Sequence, residues 1–158
     1  MIKVGIGYDA HRLVKGERFV IGGVEIPNEY GSVGHSDGDV LIHAIVDSLL
    51  GAANFGDIGK LFPSSEKKWK DCNSLNFLDI SNGKLMSKGY EIIHIDSTII
   101  LQTPIISEFI PGMKNKISNI LDIELSQISI KATTTDYLGY IGESKGLAAQ
   151  SISTIQNK

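Results

Sequence analysis

The sequence is poor in cysteine, in arginine and in long apolar runs. Cys72 is the only cysteine among 158 residues, which excludes an internal disulfide and a cysteine-rich zinc site. Arg12 and Arg18 are the only arginines and the lysines are scattered, so the chain lacks the basic patch typical of nucleic-acid binding. No apolar run is long enough to span a bilayer, which argues against a membrane partner.

What the chain does contain is an ordinary globular composition. It is 42% hydrophobic and 21% charged, with a formal net charge of −3. A length of 158 residues suits one domain with its own core, and we expect a single domain over 1–158. The first residues read as a strand and lack the apolar stretch of a signal peptide, so the expected location is the cytoplasm.

The spacing of apolar residues predicts strands joined by helices. The predicted strands cover 2–8, 90–101 and 127–133, and a hairpin covers 19–26 around Gly22-Gly23, a pair suited to a tight turn. The predicted helices begin near 38, cover about 74–88 and 105–121, and begin again near 146, with Pro111-Gly112 marking a kink or the true start of the third. This order predicts an α/β (α+β) two-layer sandwich, with one mixed sheet and helices mainly on one face, as a ferredoxin-like variant.

Asp9, His11 and His43 form the clearest metal-binding pattern. Asp9 and His11 stand two residues apart at the end of a predicted strand, so their side chains point to the same face. His43 lies on the apolar helix that follows a glycine-rich loop. Two imidazoles and one carboxylate leave the fourth tetrahedral position of Zn²⁺ open, as in catalytic zinc sites. The alternative is a surface strand end beside a hydrogen-bonded core histidine, because no spacing rule ties the pair to a distant helix.

The segment Gly34–Asp39 allows two interpretations. It matches the Gly-x-Ser-x-Gly pattern of serine hydrolases, with Ser36 as the nucleophile. That motif must follow a core strand, whereas 27–33 contains proline, asparagine and glycine, and the later histidines do not suit a triad base. The other interpretation is a helix N-terminus whose free N–H groups can bind an anion.

Two further segments carry oxygen ligands. Lys131–Asp136 offers three threonine hydroxyls and a carboxylate, which can hold phosphate oxygens and help to bind a divalent cation, or can form a threonine-rich edge strand and turn. Phe55–Gly59 frames Asp57 with glycines, and this carboxylate can bind a sugar hydroxyl or cap a turn.

Taken together, five segments resemble the 2-C-methyl-D-erythritol 2,4-cyclodiphosphate synthase family of the non-mevalonate isoprenoid pathway. They are Gly5–Arg12, Gly34–Val40, Leu41–Ala44, Gly56–Gly59, and Lys131–Asp136 with Leu138-Gly139, in order over nearly the whole chain. The resemblance implies a homotrimer with active sites between subunits, and Zn²⁺ on Asp9, His11 and His43. It implies 4-diphosphocytidyl-2-C-methyl-D-erythritol 2-phosphate as substrate, whose 2-phosphate attacks the β-phosphorus of its own diphosphate and releases CMP.

The resemblance also implies roles for individual residues. His35 and Thr134 would stabilise the transition state, Ser36 would donate to a phosphate, and Asp136 would bind a second divalent cation, Mg²⁺ or Mn²⁺. The implied substrate contacts are Asp9, His11, His35, Ser36, Asp57, Ile58, Gly59, Phe62, Ser64, Glu66, Leu101, Ala132, Thr133, Thr134, Thr135, Asp136, Tyr140 and Glu143. Within this set, Asp57 and Gly59 would hold the erythritol portion, and Leu101 with Ala132-Thr133 the cytidine.

The sequence departs from the family pattern at four places. Asp136 replaces the usual glutamate, and Ile105 replaces a lysine, which removes a phosphate contact. Ser64-Ser65-Glu66 replaces an acid-rich loop. Glu143 and Lys145 reverse the usual charge order near the trimer axis, which argues against isoprenoid-diphosphate binding there. A non-catalytic trimeric metal- and nucleotide-binding protein is therefore the alternative function.

Overall fold

The computed structural model describes residues 1–157, and its centre is a five-stranded mixed sheet. The strands are β1 (Ile2–Lys15), β2 (Val20–Ile21), β3 (Val24–Glu25), β4 (Tyr30–Val33), β5 (Tyr90–Ile100), β6 (Ile128–Thr133) and β7 (Gly146–Asn157). The order across the sheet is β4-β1-β7-β5-β6, with β5 and β6 parallel and the other neighbours antiparallel. The short strands β2 and β3 form the hairpin predicted at Gly22-Gly23.

The helices pack on one face of this sheet. They are α1 (Val40–Ala52), α2 (Ile58–Leu61), α3 (Ser74–Ser87), α4 (Ile110–Leu121) and α5 (Gly139–Gly142). α1 contacts β1, β7 and α3, while α3 contacts α4 and α4 contacts β6. The apolar side chains of α1 are almost completely buried because the helix lies between the sheet and the other helices. The predicted two-layer mixed fold is confirmed.

Two glycines of β1 bring α1 unusually close to the sheet. A Cβ atom at Gly5 would overlap the backbone oxygen of Ser48, and one at Gly7 would overlap the backbone oxygen of Ala44. The backbones therefore touch where any larger residue would separate them. This close approach carries His43, the residue before Ala44, to the strand that bears Asp9 and His11.

The helix predicted from residue 146 is wrong, because these residues form β7, the central strand of the sheet. Leu147, Ala148 and Ala149 suit a helix locally, but β7 pairs with β1 on one side and β5 on the other, and this pairing overrides local preference. From Gln150 onwards the chain alternates: Ser151, Ser153 and Ile155 are buried, and the residues between them are more exposed.

Three smaller differences concern the bounds and number of the predicted elements. β1 extends to Lys15, beyond the predicted end at residue 8, and pairs with β4, which the sequence did not predict. α4 begins at Ile110 with Pro111 in its first turn, which confirms that this proline marks the true start of the helix. Within residues 1–157, none of the helices combines the length and apolar character needed to cross a membrane.

Asp39 connects the hairpin to the start of α1. Its buried carboxylate caps the helix by accepting a hydrogen bond from the Ile42 N–H at 3.1 Å. The same carboxylate accepts from the N–H groups of Gly22 at 2.9 Å and Gly23 at 2.7 Å. One side chain therefore fixes the helix N-terminus, which carries His43, against the β2–β3 turn.

Candidate metal centre and substrate pocket

Asp9, His11 and His43 meet at the interface between β1 and α1. Asp9 Oδ2 lies 2.7 Å from His11 Nε2 and 3.0 Å from His43 Nδ1. The two imidazole nitrogens are 3.2 Å apart. All three residues are partly buried, and together they form a group that can hold a metal ion. The side chains proposed as zinc ligands are thus adjacent in the fold, while their role as ligands stays a prediction.

The tautomer of His11 directs a lone pair into this cluster. His11 Nδ1 lies 3.0 Å from the backbone oxygen of Val33 on β4. A carbonyl oxygen only accepts hydrogen bonds, so Nδ1 carries the hydrogen and Nε2 presents its lone pair. Ligand atoms around a tetrahedral zinc ion are about 3.3 Å apart, given metal–ligand distances of about 2.0–2.1 Å. The cluster therefore fits such an ion after an outward movement of a few tenths of an ångström.

Electrostatics within the cluster favour a negative carboxylate. Burial alone would raise the pKa of Asp9, but the adjacent His11 and His43 side chains outweigh it and lower the pKa to about 2. Burial would lower the pKa of His11, but its hydrogen bond with Asp9 outweighs this and raises the pKa above 6.5. The group attracts positive charge, which a metal cation or a proton on His11 can supply.

A cavity of about 350 Å³ opens beside the cluster. Its polar end is formed by His11, His35, Ser36 and His43, and the remaining wall by Ile58, Gly59, Phe62, Pro63, Ser64, Ser65, Trp69 and Phe77. Phe62, Trp69 and Phe77 pack on one another with ring centroids 4.5–5.6 Å apart. A larger hollow of about 620 Å³ shares His11 but none of the other polar residues named here. The smaller cavity is therefore the one that adjoins all of the polar residues named here, and its remaining wall is largely apolar.

The loop residues predicted to contact substrate divide into two groups. Ile58, Gly59, Phe62 and Ser64 line the cavity beside the cluster. Asp57 instead caps α2 by accepting from the Lys60 N–H at 2.7 Å, which is the capping role that the sequence left open. Glu66 is exposed and pairs with Lys68 at 2.6 Å.

The second half of the predicted site lies at another edge of the sheet. Strand pairing aligns Asp9 with Ala149, Ala149 with Ile99 and Ile99 with Ala132, so β1 and β6 reach the same end of the sheet. These strands are three positions apart, which is about 14 Å at about 4.8 Å per strand. The segment Ala132–Asp136 therefore lies apart from Asp9, His11 and His43 within one chain.

The remaining predicted residues lie in different places: Leu101 adjoins this second half, whereas Tyr140 lies beside β1 and lines the larger hollow with His11. Leu101 N–H donates to the Thr133 backbone oxygen at 2.9 Å, which holds the ends of β5 and β6 together. Tyr140 is near Tyr8, with hydroxyl oxygens 3.2 Å apart, and Glu143 forms an ion pair with Lys145. Ile105 is 84% exposed, so it presents an apolar side chain to solvent at the position where the resemblance implied a lysine.

Several residues near the site were not predicted from the sequence, among them Ser74, Asp37, Trp69 and Phe77. Ser74 and Ser36 both place Oγ 2.9 Å from His43 Nε2, and Asp37 accepts a hydrogen bond from the Ser74 hydroxyl. Trp69 lines the cavity. The only signal for Ser74 was its position at the start of a predicted helix, which says nothing about a contact 31 residues away.

Comparison with known proteins identifies a single family. A model of the YgbB family matches residues 2–156. A protein of Clostridium acetobutylicum named 2-C-methyl-D-erythritol 2,4-cyclodiphosphate synthase is 53% identical over 151 residues, which cover 96% of this chain and 97% of the relative. A protein of Syntrophomonas wolfei with the same name is 48% identical over 155 residues, covering 98% and 99%.

Solved structures agree with this result. The bifunctional IspDF of Campylobacter jejuni superposes with a TM-score of 0.96 at 37% identity, covering all of this chain and 43% of that longer chain. The CDP complex of IspF from Plasmodium falciparum superposes with a TM-score of 0.88 at 38% identity, covering 99% and 97% of the two chains.

Proposed function

The chain belongs to the YgbB family, and from this premise we propose that it converts 4-diphosphocytidyl-2-C-methyl-D-erythritol 2-phosphate to 2-C-methyl-D-erythritol 2,4-cyclodiphosphate and CMP. It would act as a metal-dependent phosphorus–oxygen lyase in the cytoplasm, in isoprenoid precursor synthesis. The observation that carries the proposal is the meeting of Asp9, His11 and His43 beside a cavity whose polar end carries imidazole and hydroxyl groups. The relative from Clostridium acetobutylicum, 53% identical, carries the synthase name.

This reaction requires no nucleophile from the protein. The 2-phosphate forms a new bond to the β-phosphorus while the bond from that phosphorus to the CMP oxygen breaks. Nucleophile and leaving group belong to one molecule, so the protein must fold the substrate and offset its charge. A hydroxyl and an imidazole at the polar end, with an apolar wall opposite, suit that task.

Each residue at the polar end of the cavity has its own role in this proposal. A zinc ion on Asp9, His11 and His43 would supply a Lewis acid for phosphate oxygens. His35 and Ser36 would donate hydrogen bonds to the phosphates, with the His35 backbone held by a 3.0 Å hydrogen bond from the Asp71 N–H. Ile58, Phe62 and Phe77 would exclude water from the reacting groups.

The second half of the site would bind the nucleotide. The Plasmodium falciparum relative was solved as a CDP complex, which supports a cytidine nucleotide as ligand. We assign Leu101, Ala132 and Thr133 to the cytidine half and Thr134 to the transition state. Thr135 would contact the diphosphate, and Asp136 would bind Mg²⁺ or Mn²⁺, both of which accept carboxylate and phosphate oxygens.

A homotrimer would bring the two halves together. The group Asp9, His11 and His43 lies about 14 Å from the segment Ala132–Asp136 of the same chain. In a trimer, the metal-binding group of one copy would instead face the β6 edge of a neighbouring copy, and one substrate would contact both. The outer face of β1 supports such an assembly. Its apolar side chains are 65%, 64%, 62% and 56% exposed at Ile2, Val4, Ile6 and Tyr8. An apolar row of this kind is typical of a surface covered by another chain.

The decisive experiment is CMP release from the proposed substrate by protein of known metal content, with and without a chelator. We expect release that the chelator abolishes and zinc restores, with one zinc per chain. No release from folded, zinc-loaded protein would favour the non-catalytic binding protein. Folded protein that binds no zinc would refute the role given to Asp9, His11 and His43.

A further inference from the structure

Behind His43, on the side away from the metal cluster, lies a chain of buried and partly buried polar groups. His43 Nδ1 faces Asp9 and His11, while Nε2 faces the Oγ atoms of Ser36 and Ser74, each at 2.9 Å. Ser74 is completely buried at the start of α3. Its hydroxyl also contacts Asp37 and, at 3.4 Å, Ser36.

The direction of these hydrogen bonds follows from the number of hydrogens. A serine hydroxyl has one hydrogen, and the Asp37 carboxylate can only accept, so Ser74 donates its hydrogen to Asp37. The Ser74 oxygen can then only accept from His43, and His43 must carry its hydrogen on Nε2. Nδ1 is left with a lone pair directed at the cluster.

Asp37 is itself held in place as an acceptor. Its Oδ2 accepts from the Ser74 backbone N–H at 2.9 Å, and its Oδ1 accepts from the Asp39 N–H at 3.2 Å. The first contact places the carboxylate at the N-terminus of α3, where free N–H groups and the helix dipole favour negative charge. The carboxylate is thereby prevented from rotating away from the Ser74 hydroxyl.

We propose that Ser74 and Asp37 are positioning residues for the metal site, because they fix the tautomer and ring orientation of His43 so that Nδ1 is presented to the ion. The inference rests on the metal centre in the proposed function. Outer groups that hold a ligating histidine typically change metal affinity by roughly 10- to 100-fold. Neither residue touches the reacting atoms in this arrangement, so the effect acts through His43.

The chain offers a matched control on the same helix. Ser81 lies seven residues after Ser74 on α3 and is also completely buried, but its hydroxyl has no hydrogen-bond partner among the described residues. Ser81→Ala removes a buried hydroxyl from the same helix without touching the site. It therefore controls for the general effect of such a loss on packing and stability.

The test is the Zn²⁺ dissociation constant, measured by competition with a chromophoric chelator for the full chain and for Ser74→Ala, Asp37→Asn and Ser81→Ala. We expect roughly 10- to 100-fold weaker binding for the first two variants and no change for Ser81→Ala. Wild-type affinity in folded Ser74→Ala, or an equal loss in Ser81→Ala, overturns the inference. Absence of zinc binding by the wild type would instead refute the metal centre itself.

A second measurement needs no variant. Long-range ¹H–¹⁵N spectra of the zinc-loaded chain report which ring nitrogen of His43 carries hydrogen, in the state where Asp9 and His43 would both face the ion. We expect the hydrogen on Nε2. A hydrogen on Nδ1 overturns the inference even if every variant fails to fold.

Discussion

Ser36 Oγ lies 2.9 Å from His43 Nε2, and on the other side of the same ring His43 Nδ1 lies 3.0 Å from Asp9 Oδ2. These contacts match the connectivity of a Ser–His–Asp triad. The hydrogen bonds of Ser74 argue against a triad. Because Ser74 donates its hydrogen to Asp37, its oxygen must accept from His43, so His43 Nε2 carries a hydrogen and cannot accept the proton of Ser36. Ser36 also follows an edge strand of four residues rather than a core strand.

Replacing Ser36 by alanine distinguishes a phosphate-binding hydroxyl in a metal-dependent synthase from the nucleophile of a serine hydrolase. We expect Ser36→Ala to retain zinc and metal-dependent CMP release, with a rate about tenfold lower, because one hydrogen bond to phosphate is lost at roughly 1–1.5 kcal/mol. The measurement is CMP release by the zinc-loaded variant. Covalent labelling of Ser36 in the wild type by a serine-directed phosphonate would instead support a hydrolase.

Loss of a ligand should have a larger effect than loss of a positioning residue. We expect His43→Ala to weaken zinc binding by more than about 100-fold, the upper end of effects from outer groups, and to abolish most activity. His94→Ala is the control, since it removes a histidine on β5 that does not belong to the metal-binding group. Metal content after dialysis provides the measurement, with circular dichroism to verify the fold, and full zinc occupancy in His43→Ala would contradict the ligand assignment.

Asp136 provides a test of the second cation. Its backbone is left-handed, with φ of 51°, a conformation that asparagine tolerates well, so Asp136→Asn removes charge with little strain. We expect weaker activation by Mg²⁺ or Mn²⁺ and unchanged zinc affinity. Titration of activity with each cation checks this, and an equal loss of zinc would show that both ions depend on one group.

Asp39 should make stability depend on pH. Burial, followed by the nearby charge of Asp37, raises the pKa of Asp39 from 3.8 to about 6 against the opposing effect of three backbone N–H groups. Between these values the folded chain binds the proton more tightly than the unfolded chain. The free energy of unfolding should therefore fall as pH rises from about 4 to about 6, by on the order of 2–3 kcal/mol.

The measurement for Asp39 is urea unfolding at several pH values for the wild type and Asp39→Asn. The asparagine cannot ionise, so the difference between the two proteins should change across this window. Asp9, with a pKa of about 2, contributes its own change below this window. Parallel curves from pH 4 to 7 would contradict the assignment to Asp39.

Gly7 tests how far the metal centre depends on the contact between β1 and α1. A Cβ at this position would overlap the Ala44 backbone oxygen, so Gly7→Ala must push the helix outwards and move His43 away from Asp9. We expect a loss of roughly 1–3 kcal/mol in stability, as for other overpacked cores, together with weaker zinc binding. Gly83→Ala on α3, where a Cβ meets no atom within 4 Å, is the control.

The sequence by itself determined much of this protein. Asp9 and His11 share a face because side chains alternate along a strand. The consecutive glycines Gly22 and Gly23 were sufficient to predict the turn of the hairpin. Residue types in order along the chain indicated the family, since each segment keeps its glycine, histidine, hydroxyl and acidic residues at fixed spacing. These are local properties, set by backbone geometry over a few residues.

Only the tertiary structure decided the features that depend on contacts between distant segments of the chain. The residues from 146 onwards form a strand because β1 and β5 provide partners on both sides, although their local preference includes a helix. Ser74 reaches His43 because α3 packs beside α1, and the direction of its hydrogen bond depends on Asp37. Such contacts join segments that only packing brings together, and no spacing rule in the sequence encodes them.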